Sequence, residues 1–302
     1  MHSDPISTLL KTWRPPFLLL AVSAVLLATG IAYLDKVEVN PVILVGIFIA
    51  ALCAHISVNS HNEYCDHKSK LDFATTKTPF SGGSGALQQD QKSERYVLIS
   101  AFLFLGIASA IGFYFVLHSP MPMFLSALGL FSIGVVLLYT PLLNRFPLLC
   151  LLSPGFGFGV AITVGSYVVL AGQLTINIVW AGILMAVVAN NLLLVNQVPD
   201  AKADKAHGRK HWVIRYGVRN SAFVYTIQWL IGLIALIMLI LNSVFALWTA
   251  FALIPFSFGL VVAKKFLMLK NTQEFSHSIM GLNVVCAVIT PALLGGILCV
   301  VA

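Results

Sequence analysis

An all-α integral membrane protein is predicted from three observations. Of the 302 residues, 59% are hydrophobic and 10% charged, against roughly 45–50% and about 25% in an ordinary soluble domain. The stretches free of Asp, Glu, Lys and Arg are long, running 15–34, 39–61, 96–144, 146–199, 220–263 and 275–302. Runs such as Leu230 to Leu241 are apolar on every side, whereas a membrane barrel strand alternates apolar and polar residues over about 10 positions.

A helix needs roughly 20 apolar residues to cross the hydrocarbon, so the first, second and last stretches hold one span each and the other three hold two. Nine spans result. The first, 15–35, follows Lys11 and Arg14 without a small-residue cleavage site, which reads as an uncleaved span and not a signal peptide. The second is 40–60. The third and fourth, 96–117 and 122–140, are parted by His118-Ser119-Pro120-Met121-Pro122. The fifth and sixth, 147–171 and 176–198, are parted by Gly172-Gln173-Leu174-Thr175, and the seventh and eighth, 220–241 and 244–263, by Asn242-Ser243. Short polar or proline-containing breaks of this kind suit hairpin tips. The ninth is 278–300. Residues 1–302 read as a single domain, with spans one to four and five to eight as two diverged halves and span nine appended.

The net charge of +7 is explained by its placement. With nine spans and the N-terminus inside, the inner side receives 1–14, 62–95, 142–145, 199–219 and 264–277, which carry every Lys and Arg except Lys36. Such a bias orients a multi-pass protein in the bilayer, with the inner side cytoplasmic, and accounts for the basic character without nucleic acid. Of five cysteines, Cys53, Cys150, Cys286 and Cys299 lie in apolar spans and Cys65 in an inner loop. Their spacing gives neither a disulfide framework nor a zinc site.

Two inner loops, 62–95 and 199–219, are longer than a connection requires, and long loops are where function is usually placed. Both begin with an asparagine leaving the membrane and an aspartate four residues later: Asn62 and Asp66, then Asn196, Asp200 and Asp204. Residues four apart share a helical face, so each set forms a polar stripe at the inner mouth of its span. Asp72 lies six residues past Asp66, and the chain has to bend after Asp66 for Asp72 to join the same site.

Asp66, Asp72, Asp200 and Asp204, with Glu63 beside them, are five of eleven acidic residues. Like charges about 4 Å apart repel by roughly 4 kcal/mol at an effective dielectric near 20, so an assembled carboxylate cluster calls for hard divalent cations. Mg2+ keeps several waters and is usually shared between a few carboxylates and substrate phosphates, which makes a diphosphate the expected substrate group. Lys68, Lys70, Lys77, Lys202, Lys205, Arg209, Lys210 and Arg145 stand in these loops or nearby, as cations for a departing diphosphate. The segment Thr78-Pro79-Phe80-Ser81-Gly82-Gly83-Ser84-Gly85 is either an anion nest of backbone amides or a flexible lid. His61, His67, His207 and His211 flank the acidic residues without paired Cys and read as polar loop histidines, not zinc ligands. A transporter is the competing class, but its ionisable groups belong at membrane depth, and here they gather in loops at one face.

The run Asn62-Glu63-Tyr64-Cys65-Asp66-His67-Lys68-Ser69-Lys70-Leu71-Asp72 resembles the first aspartate-rich motif of UbiA-type prenyltransferases, in the longer-spaced form of 1,4-dihydroxy-2-naphthoate prenyltransferases. The run Asn196-Gln197-Val198-Pro199-Asp200-Ala201-Lys202-Ala203-Asp204-Lys205-Ala206-His207-Gly208-Arg209-Lys210 resembles the second. Trp13-Arg14-Pro15, Tyr139-Thr140-Pro141 and Gly165-Ser166-Tyr167 resemble lesser signatures. Glu63 stands where aspartate is usual, and Pro199 where the naphthoate enzymes tend to have arginine. The resemblance implies nine helices around a central lipid-open cavity capped by the inner loops. It also implies Mg2+ held by Asn62, Asp66, Asp72, Asn196, Asp200 and Asp204, with the four aspartates catalytic. An isoprenoid diphosphate would then be bound by Asn62, Lys68, Lys77, Arg145, Asn196, Lys202, Arg209 and Lys210. Arg14, Tyr139 and Tyr167 are the expected acceptor-cavity residues, and the naphthoate is the favoured acceptor over a hydroxybenzoate, homogentisate, a porphyrin or a prenylated glycerol phosphate.

Overall fold

The computed structural model describes residues 4–269 and 276–301; part of the expected inner segment 264–277 lies outside them. Among the described residues there are helices and no strands. A short helix α1 (Pro5–Thr12), capped by the Asp4 side chain, precedes α2 (Pro15–Leu34) and α3 (Pro41–Lys68). There follow α4 (Glu94–His118), α5 (Pro122–Leu138) and α6 (Pro147–Ala171). The series ends with α7 (Ile176–Ala206), α8 (Trp212–Asn242), α9 (Ala246–Met268) and α10 (His277–Val301).

Eight of these are long and apolar enough to cross a membrane, where nine spans were expected. Among the nine expected spans the exception is α5, whose 17 residues reach about 26 Å at 1.5 Å per residue. It stops at Leu138, and the chain turns through Tyr139–Leu142 into a 3₁₀ turn at Leu143–Arg145.

Each helix from α2 onward packs on the next, and α10 returns to pack on α2, closing the bundle. The close approaches use small residues, the usual means of packing helices in lipid, where apolar burial offers little drive. A Cβ on Gly30 of α2 would lie 2.5 Å from the Gly295 carbonyl oxygen of α10, and one on Gly159 of α6 would lie 2.5 Å from that of Gly182 on α7. Leu184, Met185 and Leu194 of α7 join Tyr225 and Leu236 of α8 and Phe256 of α9 in the main core. A smaller core joins Ala21 and Val25 to Ile47, Ala51 and Phe115.

Buried polar groups also tie the helices, since an unpaired one in hydrocarbon is costly. Tyr225 donates its hydroxyl to Asn283 at 2.8 Å, Asn283 donates to the Asn191 carbonyl at 3.0 Å, and Asn191 donates to the Tyr225 carbonyl at 3.1 Å. At the end of the bundle opposite the acidic loops, Asp35 accepts from Tyr167 at 2.5 Å and from Thr175 and Asn177 at 2.6 Å.

The two motif-bearing helices run past the expected membrane boundary: α3 continues to Lys68 and α7 to Ala206 despite Pro199 within it. The bend expected after Asp66 occurs at Lys70, which adopts a left-handed conformation (φ 62°) before a one-turn helix at Leu71–Ala74.

Candidate active site

Between α2, α3, α5, α6 and α7 lies a cavity of about 320 Å3. Its mouth is lined by Asn62, Asp66 and Asp72 from the first loop region and by Asn196, Asp200, Asp204 and Arg209 from the second. The four-residue spacing on α7 puts Asn196, Asp200 and Asp204 on one face, and the turn at Lys70 swings Asp72 back to the same opening. The deeper walls are apolar, with Phe17 and Leu20 of α2, Val135 and Val136 of α5, Phe156, Phe158 and Ile162 of α6, and Leu192 and Leu193 of α7.

Arg209 bridges the two motifs: its guanidinium pairs with Asp66 and donates to Asp204 at 3.1 Å. Two buried carboxylates are thereby held by one cation, and their negative field pushes the guanidinium pKa upward against the effect of burial. His211 faces Asp204 from the other side, with Nε2 3.0 Å from Oδ2. Asp200 accepts from the Gly82 backbone N–H at 3.1 Å and the Ser81 hydroxyl at 3.3 Å. Glu63, fully buried, accepts from Arg14 Nε at 2.8 Å, Ser84 N at 2.8 Å and Ser84 Oγ at 2.7 Å. The 78–85 segment is therefore strapped to α3 through Glu63 and to α7 through Asp200, with the Ser84 and Gly82 amides each donating to one of these carboxylates. Gly83 permits the strap to lie close, since a Cβ there would come 2.6 Å from Asp72 Oδ1.

Two buried oxygens in this arrangement lack any hydrogen-bond partner, Asp72 Oδ2 and Asn196 Oδ1, one from each motif. Burial, reinforced by the charges of Glu63 and Asp66, pushes the Asp72 carboxyl up to about 8. An unpaired buried acceptor costs about 1–3 kcal/mol, so the site is short of positive charge or donors there. The donor set is hard oxygen throughout, which fits Mg2+. Among the described residues, however, no three His, Cys, Asp or Glu side chains converge closely enough to hold an ion. Arg209 stands between Asp66 and Asp204 instead, and the strap covers Asp200.

The match to known families follows the same residues. The family model described as "UbiA prenyltransferase family" covers residues 21–285.

The chain belongs to the UbiA prenyltransferase family. It is accordingly a prenyltransferase and a multi-pass integral membrane protein. The 1,4-dihydroxy-2-naphthoate octaprenyltransferase of Bacillus subtilis (strain 168) is 26% identical over 229 residues, 73% of this chain and 71% of that one. A UbiA homolog from Archaeoglobus fulgidus bound to DMAPP and Mg2+ superposes with a TM-score of 0.66, covering 97% of this chain and all of that one at 13% identity. The same homolog bound to GPP and Mg2+ gives 0.68, with 97% and 99% covered at 13% identity. A structure of digeranylgeranylglyceryl phosphate synthase gives 0.65, with 98% and 99% covered at 13% identity. These structural likenesses show the fold.

Several expected positions fall elsewhere in this UbiA-family protein. Of the basic residues assigned to the diphosphate, Arg209 alone lines the cavity. Lys68 is exposed and paired to Glu94 at 2.6 Å, and Lys77 folds its ammonium over Gly85. Arg145, Lys202 and Lys210 are exposed and outside the lining. The reason is helical: Lys68 and Lys202 sit two residues from Asp66 and from Asp200, on the far side of their helices. Asn62 lines the cavity and donates to Thr140 Oγ1 at 3.1 Å. Arg14 and Tyr139 line it too, but Tyr167 does not, because its hydroxyl is engaged with Asp35 at the opposite end.

His55, Asn59, Ser81, Gly82 and His211 line the cavity. His55 and Asn59 went unnoticed in the sequence, although His55, Asn59, Asn62 and Asp66 are spaced four, three and four residues apart, the signature of one helical face.

Proposed function

We propose that the chain transfers a prenyl group from an isoprenoid diphosphate to a small aromatic acceptor, with Mg2+ at the mouth of the cavity. The observation that carries this reading is the pair of unpartnered oxygens, Asp72 Oδ2 and Asn196 Oδ1, contributed by two separate motifs to one opening above an apolar cavity. Asn62, Asp66, Asp72, Asn196, Asp200 and Asp204 would hold the metal, which when bound supplies charge neutralisation for the departing diphosphate.

The chain's own residues account for the remaining work. Arg209, which pairs with Asp66 and Asp204 and lines the cavity mouth, would be available to the diphosphate if a bound metal offset those charges. The apolar walls take the isoprenoid chain and exclude water from the allylic cation formed when its C–O bond breaks. The acceptor ring carbon attacks that cation and then loses its proton, and Arg14 and Tyr139 orient the ring. The 1,4-dihydroxy-2-naphthoate acceptor is favoured by the motif spacing and by the Bacillus subtilis relative. The distribution of Lys and Arg supports a cytoplasmic location for the N-terminus and the acidic loops.

The test supplies purified protein with geranylgeranyl diphosphate, Mg2+ and a panel of aromatic acceptors, and measures diphosphate release. Release with one acceptor that is lost in both Asp66→Ala and Asp204→Ala supports the reading. An active Asp66→Ala or Asp204→Ala protein would sink the site assignment.

A further inference from the structure

The inner wall of the cavity is formed by an unusual stretch of α6. Between Pro147–Gly155 and Gly165–Ala171 the helix is π-helical over Phe156–Val164, a geometry that is rare and often found at functional sites. Residues four to five apart share a face in such a stretch, and Phe156, Gly157, Ala161 and Ile162 all line the cavity.

Three glycines punctuate this region, and packing explains two of them. A Cβ on Gly155 would strike the Asn190 amide at 2.6 Å, the same amide whose oxygen accepts the Gly155 N–H at 2.6 Å. A Cβ on Gly159 would strike the Gly182 carbonyl oxygen of α7 at 2.5 Å. A Cβ on Gly157 would meet nothing within 4 Å, and Gly157 lines the cavity between two phenylalanines that also line it. Neither helix packing nor a positive φ demands glycine there, so its effect is on the shape of the cavity: it recesses the wall between Phe156 and Phe158.

We infer that Gly157 is a specificity-determining residue that sets how much isoprenoid chain the cavity accepts. The inference rests on the prenyl-donor reading above. A diphosphate held at the Asp and Asn mouth fixes the direction of the chain, and the chain then runs along the apolar walls to which α6 contributes. A side chain at 157 fills the recess that the later isoprene units occupy, and leaves the first units and the diphosphate site alone.

The experiment compares wild type with Gly157→Ala, Gly157→Leu and, as a control on a helix outside the cavity whose Cβ also meets open space, Gly106→Leu. Thermal stabilisation by geranyl, farnesyl and geranylgeranyl diphosphate with Mg2+ gives donor affinity without needing an acceptor, and the melting temperature without donor reports folding. Gly157→Leu is expected to weaken geranylgeranyl binding by about tenfold or more relative to geranyl, in keeping with the discrimination of pockets against misfitting apolar groups. Gly157→Ala should fall between, and Gly106→Leu should leave the ratio unchanged. Equal weakening of all donors, or an unchanged ratio in Gly157→Leu, overturns the inference while leaving the prenyl-donor reading intact. Failure of every donor to stabilise wild type overturns that reading, and the inference with it.

Discussion

Among the carboxyls of the site, burial raises Asp200 to about 7 and Asp72 further still. Its carboxyl is raised to about 8 by burial and by Glu63 and Asp66, so between its ordinary pKa of 3.8 and about 8 the folded state holds a proton that the unfolded chain has lost. By linkage this contribution opposes folding increasingly as pH rises through that window and levels off above it. Metal-free protein should therefore melt at a lower temperature at pH 8 than at pH 6, and Asp72→Asn should reduce the difference, with Asp200, raised to about 7, contributing the remainder, as read by thermal denaturation in detergent. Because metal ligands must be deprotonated, Mg2+ affinity should climb across the same window in wild type. Arg209 yields a second expectation: Arg209→Ala removes the cation shared by Asp66 and Asp204, and losing a donor aimed at developing charge costs about 10²–10³ in kcat. Steady-state turnover checks this, and an Arg209→Ala protein with wild-type kcat would contradict the role. The aspartates could be found in the sequence because carboxylates are scarce in a membrane protein and recur here in matched patterns. The basic residues could not be sorted that way, since Lys68, Lys202 and Arg209 differ by which side of a helix or turn they occupy, and only the fold decides that. Tyr167 misled for a related reason: its partner, Asp35, lies far away in sequence and at the other end of the bundle.

At the scale of elements, the strap 78–85 and the extended ends of α3 and α7 form one mechanical unit. Glu63 holds Ser84 and Arg14, and Asp200 holds Ser81 and Gly82. Gly83 lies so close to Asp72 that a methyl group would come within 2.6 Å of Oδ1, and its positive φ of 75° suits glycine. Gly83→Ala is expected to displace Asp72 and lower Mg2+ affinity severalfold while the melting temperature of the bundle changes little. Glu63→Ala goes further, since removing one partner of a buried ion pair costs about 3–5 kcal/mol, and the loss should appear as a lower melting temperature. The strap was visible in the sequence as a glycine-rich segment, with an anion nest and a lid as its two readings. Its attachment to Glu63 and Asp200 depends on side-chain pairings across 21 and 118 residues, which no local pattern encodes.

For the whole molecule, charge-free stretches were enough to place the apolar helices, because hydrocarbon excludes charge and demands internally paired backbone. The count departed at α5, where the apolar stretch continues but Tyr139–Leu142 turns the chain early. The closure of α10 onto α2 rests on glycine contacts between the two ends of the chain and left no mark in hydropathy. Bringing α3 and α7 to one cavity is the consequence that matters, since the proposed donor site draws on the Asn and Asp residues of both. Thermal stabilisation by geranylgeranyl diphosphate with Mg2+ measures this cooperation most directly, using wild type, Asp72→Asn from the first motif and Asp200→Asn from the second. Stabilisation that requires Mg2+ and is lost in either single variant is the expected result. Full stabilisation in one of the two variants would mean that a single motif binds the donor, and would contradict a shared site.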